Sequence, residues 1–346
     1  MKALVFSSRG YSERALRAEN SSGRHQLKFL ETKLNAATAP LGSGYDAVLM
    51  FVNDKADRAC LQILAQGKTR LVATLSTGTN HIDLMAAKEL GLTVASVPSY
   101  SPHAVSEFTL AVLLTMARKI HRASHRIREG NFELEGLEGF ELRDKTVGIF
   151  GTGAIGREVV RNLSGFGCRI LAHDPAPHAD TAKLCRYVSR EELFRESDII
   201  TFHVPLLPST QHLVNDQSLG LMKKGVFLIN TSRGAIFDTP AIIRGLKNGH
   251  IGHLAIDVYE EEAGLFFEDR SSEILKDDVF ARLLTFPNVL VTGHQAFLTD
   301  HALRNIAQTT LQSLTEFESS GTCTHCVRGC ALAIPTPSSL AFPLIP

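Results

Sequence analysis

The chain predicts an α/β fold built from two doubly wound parallel sheets, the smaller interrupted in sequence by the larger. Three observations carry that expectation. Short β-rich runs alternate with helix-like runs from Met1 to about Pro98. The alternation stops at Pro98 and Pro102, where a long amphipathic stretch follows. It resumes from Asp144 as a longer series whose first strand runs into a glycine-rich turn, Gly151 to Gly156. Strand and helix in alternation imply parallel strands joined by helical crossovers.

Taken in order, KALVFSS, YDAVLMF, RLVATL and TVASVP are apolar and β-branched and read as buried strands. ADRACLQILAQ and DLMAAKELG read as helices, the second closed by Gly91. From about His103 to Arg128 one long helix is expected, with Val105, Phe108, Val112 and Met116 at helical spacing. The second series then runs KTVGIF, the helix after GTGAIG, CRILAHD, the helix EELFRES, IITFHV, VFLINTS, the helix TPAIIRGLKN, HLAIDVY and NVLVTGH. A last helix from Asp300 to about Phe317 carries Leu303, Ile306, Leu311 and Leu314 on one stripe, and the simplest arrangement returns it to the first domain. Residues 1–102 and 299–320 are therefore expected to form one discontinuous domain and 103–298 the other. From Gly321 no period survives. Cys323, Cys326 and Cys330 precede Pro335, Pro337, Pro343 and Pro346, so 321–346 reads as a disordered tail. The C-x-x-C-x-x-x-C run has spacings used by metal sites, but no second cysteine pair accompanies it and no metal is expected.

At 346 residues the chain accommodates two cores. Lysine plus arginine equals aspartate plus glutamate at 36 each, which argues against nucleic acid or an anionic membrane as the main partner. The apolar run in MKALVFSSRG is too short for a signal peptide, no later run reaches spanning length, and Cys60, Cys168 and Cys185 suit reduced thiols. A soluble cytoplasmic protein is expected.

The chemistry concentrates in the second series. In GTGAIG the first two glycines permit a tight turn and close approach of a pyrophosphate. Gly156 lets helix and strand pack, and the helix N-terminus favours the anion. Asp174 ends the next strand, where an acid accepts ribose hydroxyls. Pro175 and Ala176 follow it, with no adjacent arginine for a 2′-phosphate, which favours NAD over NADP. The larger domain is thus expected to be a Rossmann dinucleotide-binding domain. Downstream, Arg233 follows VFLINTS, Asp257 and Glu262 follow HLAIDVY, and His294 ends NVLVTGH. Ligands bind at the carboxyl ends of strands in open α/β sheets. A guanidinium grips a carboxylate through two parallel bonds. A carboxylate beside a histidine favours its protonated form, which can deliver a proton to a carbonyl oxygen. Taken singly, each residue has a plainer reading as a surface salt bridge, a solvated acidic loop or a structural histidine. Together they point to a nicotinamide-dependent dehydrogenase of 2-oxo or 2-hydroxy acids.

From Met1 to about Gly321 the chain resembles the D-isomer-specific 2-hydroxyacid dehydrogenases, most of all the bacterial fermentative D-lactate branch. The resemblance rests on FVND, AAKELGL, VPSYSPHAVSE, NFELEGLEGF, GTGAIG, HDP, NTSRGA, DVYEEE, LFFEDRSSEILKDDVF and TGHQAFLT. It implies a Rossmann domain inserted into a smaller flavodoxin-like substrate domain, with the two lobes closing over the substrate, and a dimer or tetramer. It implies Arg233 as the substrate-carboxylate arginine, His294 as proton donor and Glu262 as its paired acid. NAD would be held by Gly151, Gly153, Ala154, Ile155, Gly156, Asp174, Val204, Pro205, Thr210, Thr231, Ser232 and Asp257. Gly78 and Tyr100 would meet the substrate from the other lobe, and Phe51, Val52 and Phe297 would wall a pocket for a methyl group. The implied reaction is reduction of pyruvate to D-lactate with NADH. A dehydrogenase of bulkier D-2-hydroxy acids and an NAD(H)-sensing regulatory protein on the same fold are the rival readings. Three departures stand out. TGTNHID replaces the branch's usual GFNN, Phe108 replaces a usual histidine and is expected to alter packing between the lobes, and the tail past Gly321 is unlike the family's ending.

Overall fold

The computed structural model describes residues 1–327. Two compact units divide the chain: Met1–Tyr100 with the segment from Thr299 onward, and Ser101–Leu298. The first unit has five strands, β1 (Lys2–Val5), β2 (Gln26–Phe29), β3 (Ala47–Met50), β4 (Leu71–Thr74) and β5 (Thr93–Ala95). They pair in parallel in the order β2-β1-β3-β4-β5, the flavodoxin-like order. β2 is an edge strand with exposed and half-buried residues in alternation, which is why no apolar run announces it. Its helices are α1 (Gly10–Glu19), α2 (Arg58–Gln66), α3 (Leu84–Glu89) and, from the far end of the sequence, α11 (Asp300–Ser320). Asp57, Asp83 and Thr299 cap α2, α3 and α11 through their side chains, and Gly321 ends α11 at φ 72°. Phe6, Met50, Leu61, Leu64, Val72 and Val94 centre the core.

Residues 321–327 correct the expectation of disorder from Gly321. Cys326 bridges Ala95 in antiparallel sense, the Ser96 amide donates to the His325 carbonyl at 3.2 Å, and the Val327 amide donates to Val94 at 2.8 Å. Cys323 and Cys326 form a disulfide. The open edge of β5 supplies backbone partners that no side-chain period in the sequence could signal. Cys330, the four prolines and the rest of the expected tail lie outside the described residues.

The second unit has seven strands: β6 (Thr146–Phe150), β7 (Arg169–His173), β8 (Arg186–Tyr187), β9 (Ile199–Phe202), β10 (Val226–Asn230), β11 (Ile251–Ile256) and β12 (Val289–Val291). All pair in parallel in the order β12-β11-β10-β9-β6-β7-β8, a Rossmann order extended by one strand. The helices are α4 (Pro102–Ala117), α5 (Ile120–Arg128), α6 (Ala154–Leu163), α7 (Arg190–Glu196), α8 (Asp216–Leu219), α9 (Thr239–Lys247) and α10 (Asp278–Leu284). The single helix expected from His103 to Arg128 is two. The break falls at Lys119, which stands at φ 51°. α4 buries Val105, Thr109, Val112, Leu113 and Met116, whereas α5 buries nothing, so the apolar stripe that suggested continuity ends at Ala117. Phe108 packs against this unit's own core. Among the described residues no helix is long and apolar enough to cross a membrane.

Candidate active site

The glycine turn sits where the strand order reverses, between β6 and β9, which is the ligand crevice of a doubly wound sheet. Its geometry needs glycine. Gly151 stands at φ 92°, and a Cβ there would come within 2.6 Å of the His203 carbonyl oxygen. A Cβ on Gly156 would lie 1.9 Å from the Gly151 oxygen, so helix and turn close only without one. Gly153 behaves differently, since a Cβ there would meet nothing within 4 Å. Gly153 is the N-cap of α6 and supplies no side-chain cap, so its side chain closes off none of the first-turn amides, which include those of Ala154 and Ile155. A backbone cradle with room in front of it fits a pyrophosphate.

Asp174 follows β7. One carboxylate oxygen accepts the Thr152 amide at 2.7 Å and the other the Ala176 amide at 2.8 Å, fixing the acid beside the glycine turn. Of the other expected cofactor contacts, Val204 and Pro205 follow β9, and the Thr210 hydroxyl closes that loop on the Pro205 carbonyl at 2.6 Å. The Thr231 hydroxyl turns to Thr109 of α4, 3.0 Å away. Ser232 donates to Asn230 Oδ1 at 2.8 Å.

β11 lies between β10 and β12, so adjacent carboxyl ends stand about 4.8 Å apart and the outer two about twice that. The three charged residues sit just past these ends. Gly234, next to Arg233, packs so closely on the Tyr259–Glu260 peptide that a Cβ would lie 2.1 Å from the Tyr259 oxygen. The His294 amide donates to the Asp257 carbonyl at 2.7 Å. His294 Nδ1 donates to Glu262 Oε1 at 3.0 Å, with the two side chains 17% and 26% exposed. That bond fixes the ring and leaves Nε2 available to a substrate oxygen. The Arg233 guanidinium is half-buried, donates to the Ser232 carbonyl at 2.7 Å, and pairs with no carboxylate among the described residues. The plain salt-bridge reading of Arg233 is therefore not what the structure has. A cation with unused donors can bind the carboxylate of an oxo acid, and a proton carrier held by an acid can protonate a carbonyl.

Three roles at the site escaped the sequence, the first being what Asp257 holds in place. Asp257, 1% exposed, is the clamp of the histidine turn. It accepts Thr292 Oγ1 at 2.6 Å and the Gln295 and Ala296 amides at 2.9 Å. Burial pushes its carboxyl up, and those bonds with the nearby His294 pull the other way. Glu260 is engaged elsewhere than its neighbour Glu262. It accepts His212 Nε2 at 2.5 Å and the Thr239 hydroxyl at 2.9 Å, tying together the loops on either side of the Arg233 turn. The third is Phe267, whose ring centre lies 5.5 Å from that of His294. Three consecutive glutamates, Glu260 to Glu262, offer no local signal for which one meets the imidazole.

The remaining candidates divide between the units. Phe297, 8% exposed, belongs to the histidine turn of the second unit. Phe51 and Val52 follow β3 in the first unit, where Asp54 accepts the Phe51 amide, the Leu34 amide and the Ser7 hydroxyl at 2.6–2.7 Å. The loop after β4 that departs from the expected pattern is held by its own residues. Thr74 contacts both Ser76 at 2.7 Å and His81 Nε2 at 3.1 Å, and Ser76 donates to the Gly78 carbonyl at 2.9 Å. The Tyr100 carbonyl accepts from Asn305 of α11 at 2.6 Å.

A family model described as the NAD-binding domain of the D-isomer-specific 2-hydroxyacid dehydrogenases matches residues 110–296. The chain is similar to the D-lactate dehydrogenase of Escherichia coli strain K12, at 48% identity over 324 residues, covering 93% of this chain and 98% of that one. Among solved structures it is similar to the apo form of D-lactate dehydrogenase from Escherichia coli, with a TM-score of 0.86, 45% identity, and 94% and 100% of the two chains covered. It is also similar to the pyruvate reductase of Chlamydomonas reinhardtii, with a TM-score of 0.87, 42% identity, and 92% and 96% covered.

Proposed function

The chain belongs to the D-isomer-specific 2-hydroxyacid dehydrogenases, NAD-dependent oxidoreductases, and on that premise we propose that it reduces pyruvate to D-lactate. The observation that carries the reading is the His294–Glu262 bond at 3.0 Å, set at strand ends adjoining a half-buried Arg233 that has no carboxylate partner. When bound, NADH supplies the hydride to C2 of the oxo acid. Arg233 grips the carboxylate and polarises the carbonyl. His294, its Nδ1 held by Glu262, delivers the Nε2 proton to the carbonyl oxygen. In the reverse direction neutral His294 takes the hydroxyl proton. The open cradle at Gly153 and the fixed Asp174 carboxylate would hold the dinucleotide, together with Gly151, Ala154, Ile155, Gly156, Val204, Pro205, Thr210, Thr231, Ser232 and Asp257. Phe51, Val52, Gly78, Tyr100 and Phe297 are proposed as substrate contacts.

The deciding experiment follows NADH and NADPH oxidation with pyruvate and resolves the product by chirality. NADH-dependent formation of D-lactate is expected. L-lactate, or no turnover at ordinary enzyme concentration, would overturn the reading, the second result favouring a sensing role. A panel of 2-oxo acids of increasing size should show pyruvate preferred over branched and aromatic acids.

We also propose a homo-oligomer, dimer or tetramer. Ile120, Ile127, Phe132 and Leu134 are 54–80% exposed within one short segment, where basic Arg122, Arg126 and Arg128 adjoin acidic Glu133, Glu135 and Glu138. A surface carrying apolar, positive and negative groups together is self-complementary under a two-fold axis. Sedimentation of a monomer at micromolar concentration would refute this. The reaction is proposed to run in the cytoplasm, which the unpaired Cys60, Cys168 and Cys185 suit.

A further inference from the structure

The strongest unexplained feature lies in the loop that leaves Glu262. That loop begins as a tight turn, with the Leu265 and Phe266 amides donating to the Glu262 carbonyl at 3.1 and 3.0 Å. Phe266 is buried and meets Phe280 edge-on at 5.7 Å, so the turn is anchored in the core. The next residue, Phe267, stands at φ 66°. A bulky L-residue is rarely found in this left-handed region, because its Cβ crowds the backbone, and glycine or asparagine would sit there with less strain. The ring nevertheless faces His294, with centroids 5.5 Å apart and planes tilted by 41°. His294 is itself at φ 56°. Beyond Phe267, Arg270 pins the loop by donating to the Gly264 carbonyl at 3.1 Å while pairing with Glu268 and Glu273. One short loop thus brings two groups to one imidazole, a carboxylate on its Nδ1 edge and an aromatic ring beside it. Strain kept at a functional site signals that the strained side chain has a task there.

We propose that Phe267 is a positioning residue for His294. Its ring covers the imidazole, keeps water off the His294–Glu262 bond, and prevents a ring flip that would turn Nε2 away from the substrate oxygen. Strain at Phe267 is tolerated because the core anchor at Phe266 and the Arg270 contacts hold the loop. The inference rests on the proton-transfer role proposed for His294. It adds that the aromatic face, rather than loop shape alone, keeps that proton carrier on line.

Three chains separate the face from the loop: Phe267→Asn, which suits the left-handed backbone but lacks the ring, Phe267→Tyr, which keeps it, and Phe267→Leu, which keeps bulk without the face. Pyruvate reduction is measured alongside the rate at which diethyl pyrocarbonate modifies His294, located by peptide mass spectrometry. The asparagine chain loses core packing as well as the ring, and at a temperature where it is folded it is expected to lose about tenfold or more in kcat with a smaller change in KM, and to show faster modification of His294. The tyrosine chain should behave like the parent. If the asparagine chain does not fold, the leucine chain should show the same slower turnover and faster modification. Normal kcat with unchanged modification in the ring-less chains would overturn the proposal. So would a tyrosine chain as impaired as the asparagine one, since loop shape would then be what matters. If the parent itself does not reduce pyruvate, the reaction assignment fails. The modification rates still decide whether Phe267 shields His294.

Discussion

The two units are built alike, as parallel strands with helices between them, and differ in what stands at the carboxyl ends of those strands. In the second unit, neighbouring ends present an arginine without a carboxylate partner, a glutamate bound to a histidine, and uncapped helix amides. In the first, several polar groups at strand ends bond within their own loops, while Ser8 Oγ and Asn53 Oδ1 are buried without a partner among the described residues. Asp54 gathers three donors, Thr74 and Ser76 bond each other, and Thr77 donates to Val97 at 2.7 Å. The same architecture therefore carries different loop chemistry in the two units, an arginine without a carboxylate partner and a histidine–glutamate pair in one, and a buried aspartate with three donors in the other. Fold alone does not assign chemistry, and the loop residues left with unused charge do.

The largest effect that tests this contrast is His294→Ala. Loss of a positioned proton carrier is expected to lower kcat for pyruvate reduction by roughly 10²–10⁴-fold with the fold intact. Retention of near-normal turnover would break the contrast at its centre. Next, Arg233→Ala should raise KM and depress kcat together, because the guanidinium is assigned to both ground state and transition state. A loss of about 1.5–3 kcal/mol for a charge-assisted contact corresponds to roughly 10- to 150-fold in kcat/KM. The first unit supplies the counterpart. Asp54→Asn should cost about 1–3 kcal/mol of stability by leaving one of three buried donors poorly matched, while kcat moves little. Thermal melts and steady-state rates on the same samples would show whether the two units separate in this way.

Smaller effects sharpen the picture. Glu262→Gln replaces the carboxylate at Nδ1 with a neutral amide, a weaker partner for the ring. Turnover of pyruvate should fall by about tenfold as the ring loses its charged partner, and an unchanged kcat would remove Glu262 from its role. The smallest effect concerns buried thiols. Burial pushes Cys60 in the first unit up to about 12 and Cys185 in the second up to about 11. At pH 8 both should react with a disulfide reagent far more slowly in the native chain than after denaturation. Cys60, fully buried, should be the slower, so that each thiol reports the opening of its own unit. Equal and rapid labelling of both would contradict the burial that distinguishes them.

Much of this protein was determined by its sequence alone. The alternation of apolar strands with helices specified two parallel sheets. GTGAIG specified the dinucleotide turn, since Gly151 and Gly156 occupy positions where any Cβ would strike backbone. The positions of Arg233, Glu262 and His294 just past strand ends were legible for the same reason: period and punctuation are local properties of a chain. The tertiary structure alone decided the rest. Where the long helix breaks, at Lys119, depends on where its buried neighbours stop. That residues 321–327 are ordered depends on an open edge at β5. Which glutamate meets His294, which meets His212, and why a phenylalanine stands in a left-handed turn depend on contacts between residues far apart in sequence. A run of residues records its own conformational preference, but the partner of a side chain is settled only when distant segments pack against one another.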